Sequence, residues 1–457
     1  MMRNVRQSSS LASHGGALGS SKGGALGSSG FAAATRREFL KWTAGTGAAV
    51  GTLPLARSVH AAGSDLLKVG LIGCGGRGSG AAVNALDADP GTKLVAMCDI
   101  FEDWARGARD RLKKMKPDRV DVPDDRRFVG FDGYQKVIEA SDVVLIACAS
   151  RFHPEYLKAA IEAGKHVFCE KPHAIDPPGV RMVQAACEEA KQKGLSVVSG
   201  LCWRYHTGVQ ETMKRVLDGA IGQIIAIQAT YMRTPYRLVE RKPGWSEIEY
   251  QFRNWYHFNW LSGDDILQSL IHSLDKASWA MGEEPPVWCY GVGGRAASFG
   301  EVYGDVFDHN AVVYEYPNGV RLYGINRAQN GCYTETSDLI LGTKGRCDVL
   351  RHRIDGETKW EYEGPKSNMY QAEHEALFSA IRSGKPINNG RYMVVSTMLA
   401  VLGQIAVYTG RKVTWEEAFN AKFRFGPEKA DFTIEPPVKP NPNGEYPIAI
   451  PGITKLL

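Results

Sequence analysis

No Cys-x-x-Cys pair and no Cys/His spacing of the zinc-binding kind occurs among the nine cysteines, at 74, 98, 148, 169, 187, 202, 289, 332 and 347, so no metal site is read from the sequence. Five of the first six, at 74, 98, 148, 169 and 202, lie in apolar strand-like runs. A free thiol there behaves as a small buried hydrophobe, and no disulfide framework is expected. No run approaches the roughly 20 apolar residues of a membrane-spanning helix, which excludes a membrane-embedded body. Charge of one sign is also missing: 55 Lys and Arg face 50 Asp and Glu, for a formal net charge of +5. The two signs are interspersed rather than gathered into a stripe, so nucleic acid is not an expected partner.

What is there is a chain of 457 residues, 44% hydrophobic and 23% charged, of globular composition and too long for one hydrophobic core; two domains are expected. Residues 1–30 are rich in Ser and Gly and nearly duplicate the run GGALGSS. With no apolar face to bury, this stretch is expected to be disordered. Thr35-Arg36-Arg37-Glu38-Phe39-Leu40-Lys41 follows, then a mildly apolar stretch from Trp42 to Leu55 and the small-residue end Val59-His60-Ala61. That order resembles a twin-arginine export signal with its cleavage site. Residues 1–62 are accordingly read as leader and signal, the mature chain as starting near Ala62, and the location as periplasmic or otherwise exported. The apolar stretch, about 14 residues, is too short and too weakly hydrophobic to be a stable span.

Leu66 to Ile72 is a short β-branched run followed at once by Gly73-Cys74-Gly75-Gly76-Arg77-Gly78 and a small-residue helix from Ser79. This is GxGxxG in a strand-to-helix setting. The first Gly allows the tight turn, the second lets backbone approach a pyrophosphate, and the third lets helix pack closely on strand. Gly73, Gly75, Gly76, Arg77 and Gly78 are therefore candidate cofactor contacts. Lys93 to Cys98 is a second strand, and Asp99 at its end lies 21 residues beyond Gly78, near the spacing of the carboxylate that accepts from ribose hydroxyls. Its charge repels a 2′-phosphate, so NAD is favoured over NADP. A buried strand from Asp142 to Ala149 leads into Ser150 and His153 and a helix, and His166-Val167-Phe168-Cys169-Glu170-Lys171-Pro172 comes next. Alternation of strand and helix over about 110 residues argues for a parallel, doubly wound sheet, assigned to residues 65–194. Ala149, Ser150, His153, Glu170, Lys171 and Pro172 all fall at carboxyl ends of its strands, where ligands of such sheets bind.

At Glu170-Lys171-Pro172, preceded by Glu162-Ala163-Gly164-Lys165-His166-Val167, the sequence resembles the Gfo/Idh/MocA oxidoreductase family. The likeness continues through Gly219-Ala220-Ile221-Gly222-Gln223-Ile224. It then takes in Gly263-Asp264-Asp265-Ile266-Leu267-Gln268-Ser269-Leu270-Ile271-His272-Ser273-Leu274-Asp275. The resemblance implies a Rossmann NAD-binding domain followed, over 195–457, by an α+β domain with a large, mostly antiparallel sheet. One face of that sheet would cover the nicotinamide, while the other often makes subunit contacts, hence a homo-oligomer. It also implies a sugar or polyol substrate and places Lys171 beside nicotinamide and substrate, with a Lys-Pro bond that is often cis in the family. The family's helix commonly carries an Asp and, four residues later, a His; here His272 matches and Gln268 occupies the Asp position. A glutamine amide can hydrogen-bond a hydroxyl but cannot accept its proton as a carboxylate can. Proton transfer falls to Lys171 or His272.

Beyond Gly194, runs from Ile224 to Met232, Val312 to Tyr316, Val320 to Ile325 and Asp338 to Leu341, with Pro317-Asn318-Gly319 as a hairpin turn, read as the antiparallel sheet. Asn254-Trp255-Tyr256-His257-Phe258-Asn259-Trp260 combines flat apolar faces with hydrogen-bonding groups. His257 and Trp260 are thus candidate substrate contacts, a core cluster being the alternative. Arg204 matches an arginine frequent in the family and could orient a hydroxyl or carboxylate; a salt bridge at the domain hinge is its alternative. Helical spacing puts Gln268 and His272 on one face with Asp275 close by, as further substrate-binding candidates. The helices from Tyr370 to Ser383 and Arg391 to Thr409 read as structural.

Oxidising a secondary alcohol needs a base at the oxygen, and His272, with an ordinary pKa of about 6.5, is the easier base. Lys171 then polarises the oxygen; swapped roles stay open. Outside the inner membrane little free dinucleotide is available, so an exported enzyme of this type keeps its cofactor bound. Two rival readings stand beside the oxidoreductase. One is an NAD-dependent glycosidase working by transient oxidation and elimination, against which stands the missing His-Gly-x-Gly-Pro element of those enzymes. The other is a non-catalytic sugar-binding or regulatory protein on the same fold, against which stand Lys171 and His272.

Overall fold

The computed structural model describes residues 65–457; the leader and signal expected over 1–62 lie outside the described residues. Six strands form the first sheet: β1 Leu67–Ile72, β2 Thr92–Asp99, β3 Arg127–Val129, β4 Val143–Ile146, β5 His166–Cys169 and β6 Val197–Ser199. All neighbours are parallel, in the order β3-β2-β1-β4-β5-β6. The central strands are buried on both faces, the near-continuous apolar pattern that parallel strands covered by helices require. Helices α1 Gly76–Ala88, α2 Glu102–Met115, α3 Gly133–Ala140, α4 His153–Glu162 and α5 Pro177–Gln192 connect them. The strand order reverses between β1 and β4, and the crevice at their carboxyl ends is where the candidate cofactor residues gather. Because β6 is the sixth strand of this sheet, the boundary expected after Gly194 falls one strand early.

Helix α6 Thr207–Leu217 leads to a nine-stranded sheet built from β7 Ile224–Arg233, β8 Trp288–Gly294, β9 His309–Glu315, β10 Arg321–Ala328 and β11 Glu335–Gly342, with short strands β12 Gly345–Asp348, β13 Arg353–Gly356, β14 Trp360–Glu361 and β15 Val413–Thr414. Its order is β14-β13-β12-β11-β7-β10-β9-β8-β15, antiparallel throughout except for the β7/β10 pair. The expected hairpin joins β9 to β10, and Gly319 supplies the turn at φ +81°, which a side chain would strain. Burial alternates along β9 and β10, so one face is packed and the other open.

The packed face meets α7 Ile271–Ala280, itself preceded by a π-helical turn at Ile266–Leu270, and α10 Gly390–Thr409. Helix α10 corrects the reading that no long apolar run exists: its mean hydropathy is 1.5 over 18 residues, enough by length and composition to cross a membrane. Of that window 94% is buried inside the protein, because α5, α7, β8 and β9 surround the helix. A helix apolar all round is what complete enclosure calls for. Helix α9 Met369–Ser383 crosses back and packs on α1 and the parallel sheet, where Arg382 pairs with Asp89 at 2.7 Å. The two sheets are thereby tied together by chain from both sides of the boundary. Helix α8, a short element Glu247–Arg253 in the loop after β7, bears on the site below and is called the cap helix.

Candidate active site

Gly73 ends β1 at φ +95°, and a Cβ there would stand 2.5 Å from the Cys148 amide. At Gly78 a Cβ would run into the Gly73 carbonyl, whereas Gly75 and Gly76 have nothing within 4 Å. The third glycine thus serves packing, and the middle pair faces open space. Gly75 caps α1 without a side-chain bond, leaving the helix N-terminal amides to a ligand. In front of the loop lies a cavity of about 420 Å³ bordered by Gly73, Gly75, Gly76, Arg77, Asp99 and Ala149 on one side and by Asn254, Trp255 and Tyr256 on the other. The open glycines, the unclaimed amides and the carboxylate at the end of β2 fit a nicotinamide dinucleotide.

Asp99 is nearly buried and accepts from the amides of Cys74 (2.8 Å) and Phe101 (3.1 Å). Burial lifts its carboxyl to about 6, the amide donors restraining the rise. It therefore shapes the glycine loop as well as lining the cavity, with lone pairs left for hydroxyl donors. Ser150 does not reach the cavity; its hydroxyl receives Gln268 Nε2 at 3.0 Å. His153 also turns away, its nitrogens 2.7 Å from the Pro172 carbonyl and 3.0 Å from that of Cys148. Burial pulls this ring down to about 4, so it is neutral and its single N–H donates to only one of the two carbonyls.

At the end of β5, Glu170 is buried and pairs with Arg77 at 2.7 Å. The Lys171–Pro172 bond is cis. Lys171 Nζ donates to the Gln268 backbone carbonyl at 2.5 Å, and the Tyr236 hydroxyl donates to the same oxygen at 3.0 Å. A π turn takes carbonyls out of the regular i to i+4 ladder, which makes them available to such side-chain donors. His272 follows four residues on. Its Nδ1 is buried without a partner, and burial, with Lys171 and Lys276 adding positive charge, holds its pKa well below the usual histidine value. Lys171, from the first sheet, thus reaches the turn four residues ahead of His272, under the second, and neither residue borders the large cavity. Between cavity and pair stand Tyr256, which lines the cavity, and Tyr236, stacked on it at 4.3 Å.

Several substrate candidates are placed elsewhere. Arg204 and Asp275 consume each other through contacts of 2.8 to 3.1 Å, with Glu283 at 2.9 Å from the same guanidinium and Ser396 on Asp275. This is the salt-bridge alternative, and it leaves neither group free to meet a sugar. Trp260 is 1% exposed, donates to Gln251 Oε1 at 2.7 Å and packs on Phe252, which makes it core. Gln268 gives its amide hydrogens to Ser150 and Ser262, so its side chain joins the two halves of the protein. His257 borders a small second cavity of about 20 Å³ with Tyr236, Tyr256, Asp265 and Gln268. Its Nε2 is buried without a partner, and burial lowers its pKa to about 4. Trp104, Arg111, Tyr134, Tyr156, Arg237 and Arg253 also line the large cavity and carry no sequence signal of their own. Helices α2, α3 and α4, the cap helix and the loop after β7 deliver them.

Two family models match the chain: an oxidoreductase family NAD-binding Rossmann fold over residues 67–200 and the C-terminal alpha/beta domain of the same oxidoreductase family over residues 213–393. The chain belongs to the Gfo/Idh/MocA oxidoreductase family. Among its relatives, the 2,7-anhydro-N-acetylneuraminate hydratase of Escherichia coli is 28% identical over 224 residues, 48% of this chain and 55% of that protein. The inositol 2-dehydrogenase of Klebsiella pneumoniae is 31% identical over 220 residues, again 48% and 55%. The aligned region thus spans about half the length of these relatives. Among solved structures, the aldose-aldose oxidoreductase of Caulobacter crescentus superposes with a TM-score of 0.59 at 20% identity, covering 76% of this chain and 99% of that one. For this Gfo/Idh/MocA member that likeness establishes the fold.

Proposed function

We propose that this family member is an exported NAD-dependent oxidoreductase that acts on a secondary hydroxyl of a sugar, glycoside or polyol while holding its cofactor tightly. The observation that carries the reading is that Lys171, from the end of β5, reaches the Gln268 carbonyl four residues ahead of His272, on the helix under the second sheet. A bound nicotinamide would supply the two-electron acceptor by hydride transfer from the carbinol carbon. The chain's own residues handle the oxygen: Lys171 Nζ, already aimed at a carbonyl, is built to donate to a substrate oxygen. His272 is neutral at ordinary pH and has Nδ1 unclaimed, the form a general base needs, although the burial that keeps it neutral also weakens it as a base. Asp99 supports NAD over NADP through its charge beside the ribose position. Exposed Tyr290, Val292, Tyr323, Ile325 and Leu341 on the open face of the second sheet support a homo-oligomer.

The test is to load the purified protein with NAD and follow 340 nm absorbance on adding sugars and polyols, myo-inositol and aldoses first. Lys171→Ala and His272→Ala should each lower the rate of NADH formation by roughly 10² or more while cofactor remains bound. Full rates in both variants would refute the assigned roles. For export, Arg36→Lys together with Arg37→Lys should trap the protein inside the cell; unchanged export would remove the twin-arginine reading.

A redox-neutral course is the second reading, favoured by the relative named a hydratase. In it the substrate is oxidised only transiently, and 340 nm absorbance returns to baseline while a product accumulates.

A further inference from the structure

Past Asn420, beyond the family match that ends at residue 393, the chain carries no further helix or strand through 457, yet it is anchored along its length. Arg151, just after β4, donates to the carbonyls of Pro427 and Glu428, the latter at 3.1 Å. Gln251, in the cap helix, donates to the Val438 carbonyl at 2.7 Å. Tyr446 then bonds Glu247 Oε1 at 2.6 Å at the start of that helix. The stretch between the first two anchors therefore crosses from the dinucleotide sheet to the cap.

In the middle of that crossing is Phe432. Its ring lies 5.6 Å from Phe101, 5.2 Å from Phe131 and 5.6 Å from Phe252. All three border the large cavity: Phe101 follows Asp99, Phe131 follows β3, and Phe252 is the cap helix's. Phe131 and Phe252 also meet each other at 5.1 Å. One ring from the tail thus touches both walls of the cleft at the end where Asp99 marks the ribose. Beside it, Arg253 of the cap reaches Asp103 of α2 at 3.2 Å, a pair exposed enough to be weak alone.

We propose that Phe432 is a positioning residue of the cofactor site: the tail from Pro427 to Val438 is a clasp that holds the cap against the dinucleotide sheet and sets how fast the cofactor leaves. The inference rests on the reading that the large cavity holds a dinucleotide. Because aromatic contacts bind the walls to each other rather than to the ligand, loosening them acts on opening and so on release. Phe432 is 40% exposed, so its removal leaves the main cores intact.

The experiment preloads the full-length protein with NADH, chases with excess NAD, and follows the loss of bound-NADH fluorescence, with the melting temperature of the cofactor-free protein measured in parallel. Phe432→Ala should release NADH roughly tenfold faster or more with a melting temperature close to that of the parent. Phe432→Leu should fall between the two. Arg151→Met, which keeps the stem but drops the tail's carbonyl bonds, should shift release in the same direction and serves if the alanine variant does not fold. Release rates equal to the parent in a folded Phe432→Ala or Arg151→Met protein would overturn the clasp alone. Failure of the parent to bind NADH would overturn the cofactor reading, and the clasp with it.

Discussion

Asp99 shows how one side chain answers to two demands. Its bond from the Cys74 amide holds the glycine loop, its bond from the Phe101 amide holds the turn after β2, and its burial lifts the carboxyl to about 6. Only the ionised form is a full acceptor for a pair of ribose hydroxyls. Since the raised pKa favours the neutral acid, lowering the pH through 6 should protonate the empty site and weaken binding. Affinity should be level above about pH 7 and fall toward tenfold per pH unit well below 6. Titration of NADH fluorescence across pH 5 to 8 checks this, and Asp99→Asn should remove the slope; a slope retained in that variant would assign the effect to another group. At the same scale, Arg204 and Asp275 explain why residue type and spacing misled: a guanidinium and a carboxylate that look available in the sequence are neutralised by each other across 71 positions. Taking one partner away would strand a buried charge at a cost of about 3–5 kcal/mol, so their place is structural.

At the scale of elements, legibility followed locality. The first strand, the glycine turn and α1 were readable because the turn's requirements are written within six residues. The cis bond at Lys171–Pro172 and the helix bearing His272 came through the family likeness. What could not be read was the π turn at Ile266–Leu270, which depends on how the helix packs and not on its composition. The Gln268 carbonyl in that turn receives both Lys171 and Tyr236, so the turn helps set the geometry of the site. The segment between β7 and the π turn was equally opaque. Its aromatic residues divide between cavity wall (Trp255, Tyr256) and core (Phe258, Trp260), and composition is the same for both. Helix α10 reads as structural from its spacing, and only the four elements that enclose it tell its long apolar run from a membrane span.

For the whole molecule, the open face of the second sheet gathers exposed apolar side chains from several strands, with Val292 71% and Tyr290 41% exposed. If copies of the chain meet there, Val292→Lys with Tyr323→Lys should shift elution in size exclusion with light scattering toward the monomer without loss of secondary structure. A parent that is already monomeric would remove the proposal. The sequence by itself determined the doubly wound sheet and its ligand-binding edge, because strand periodicity and the glycine turn are local constraints; Lys171 and His272 are singled out only by the family likeness. Only the tertiary structure decided which polar residues remained free, since pairing such as Arg204 with Asp275 depends on distant chain arriving at one place. The same holds for the tail that returns to Phe101 and Phe131: contact between residues more than three hundred positions apart leaves no periodic trace along the chain.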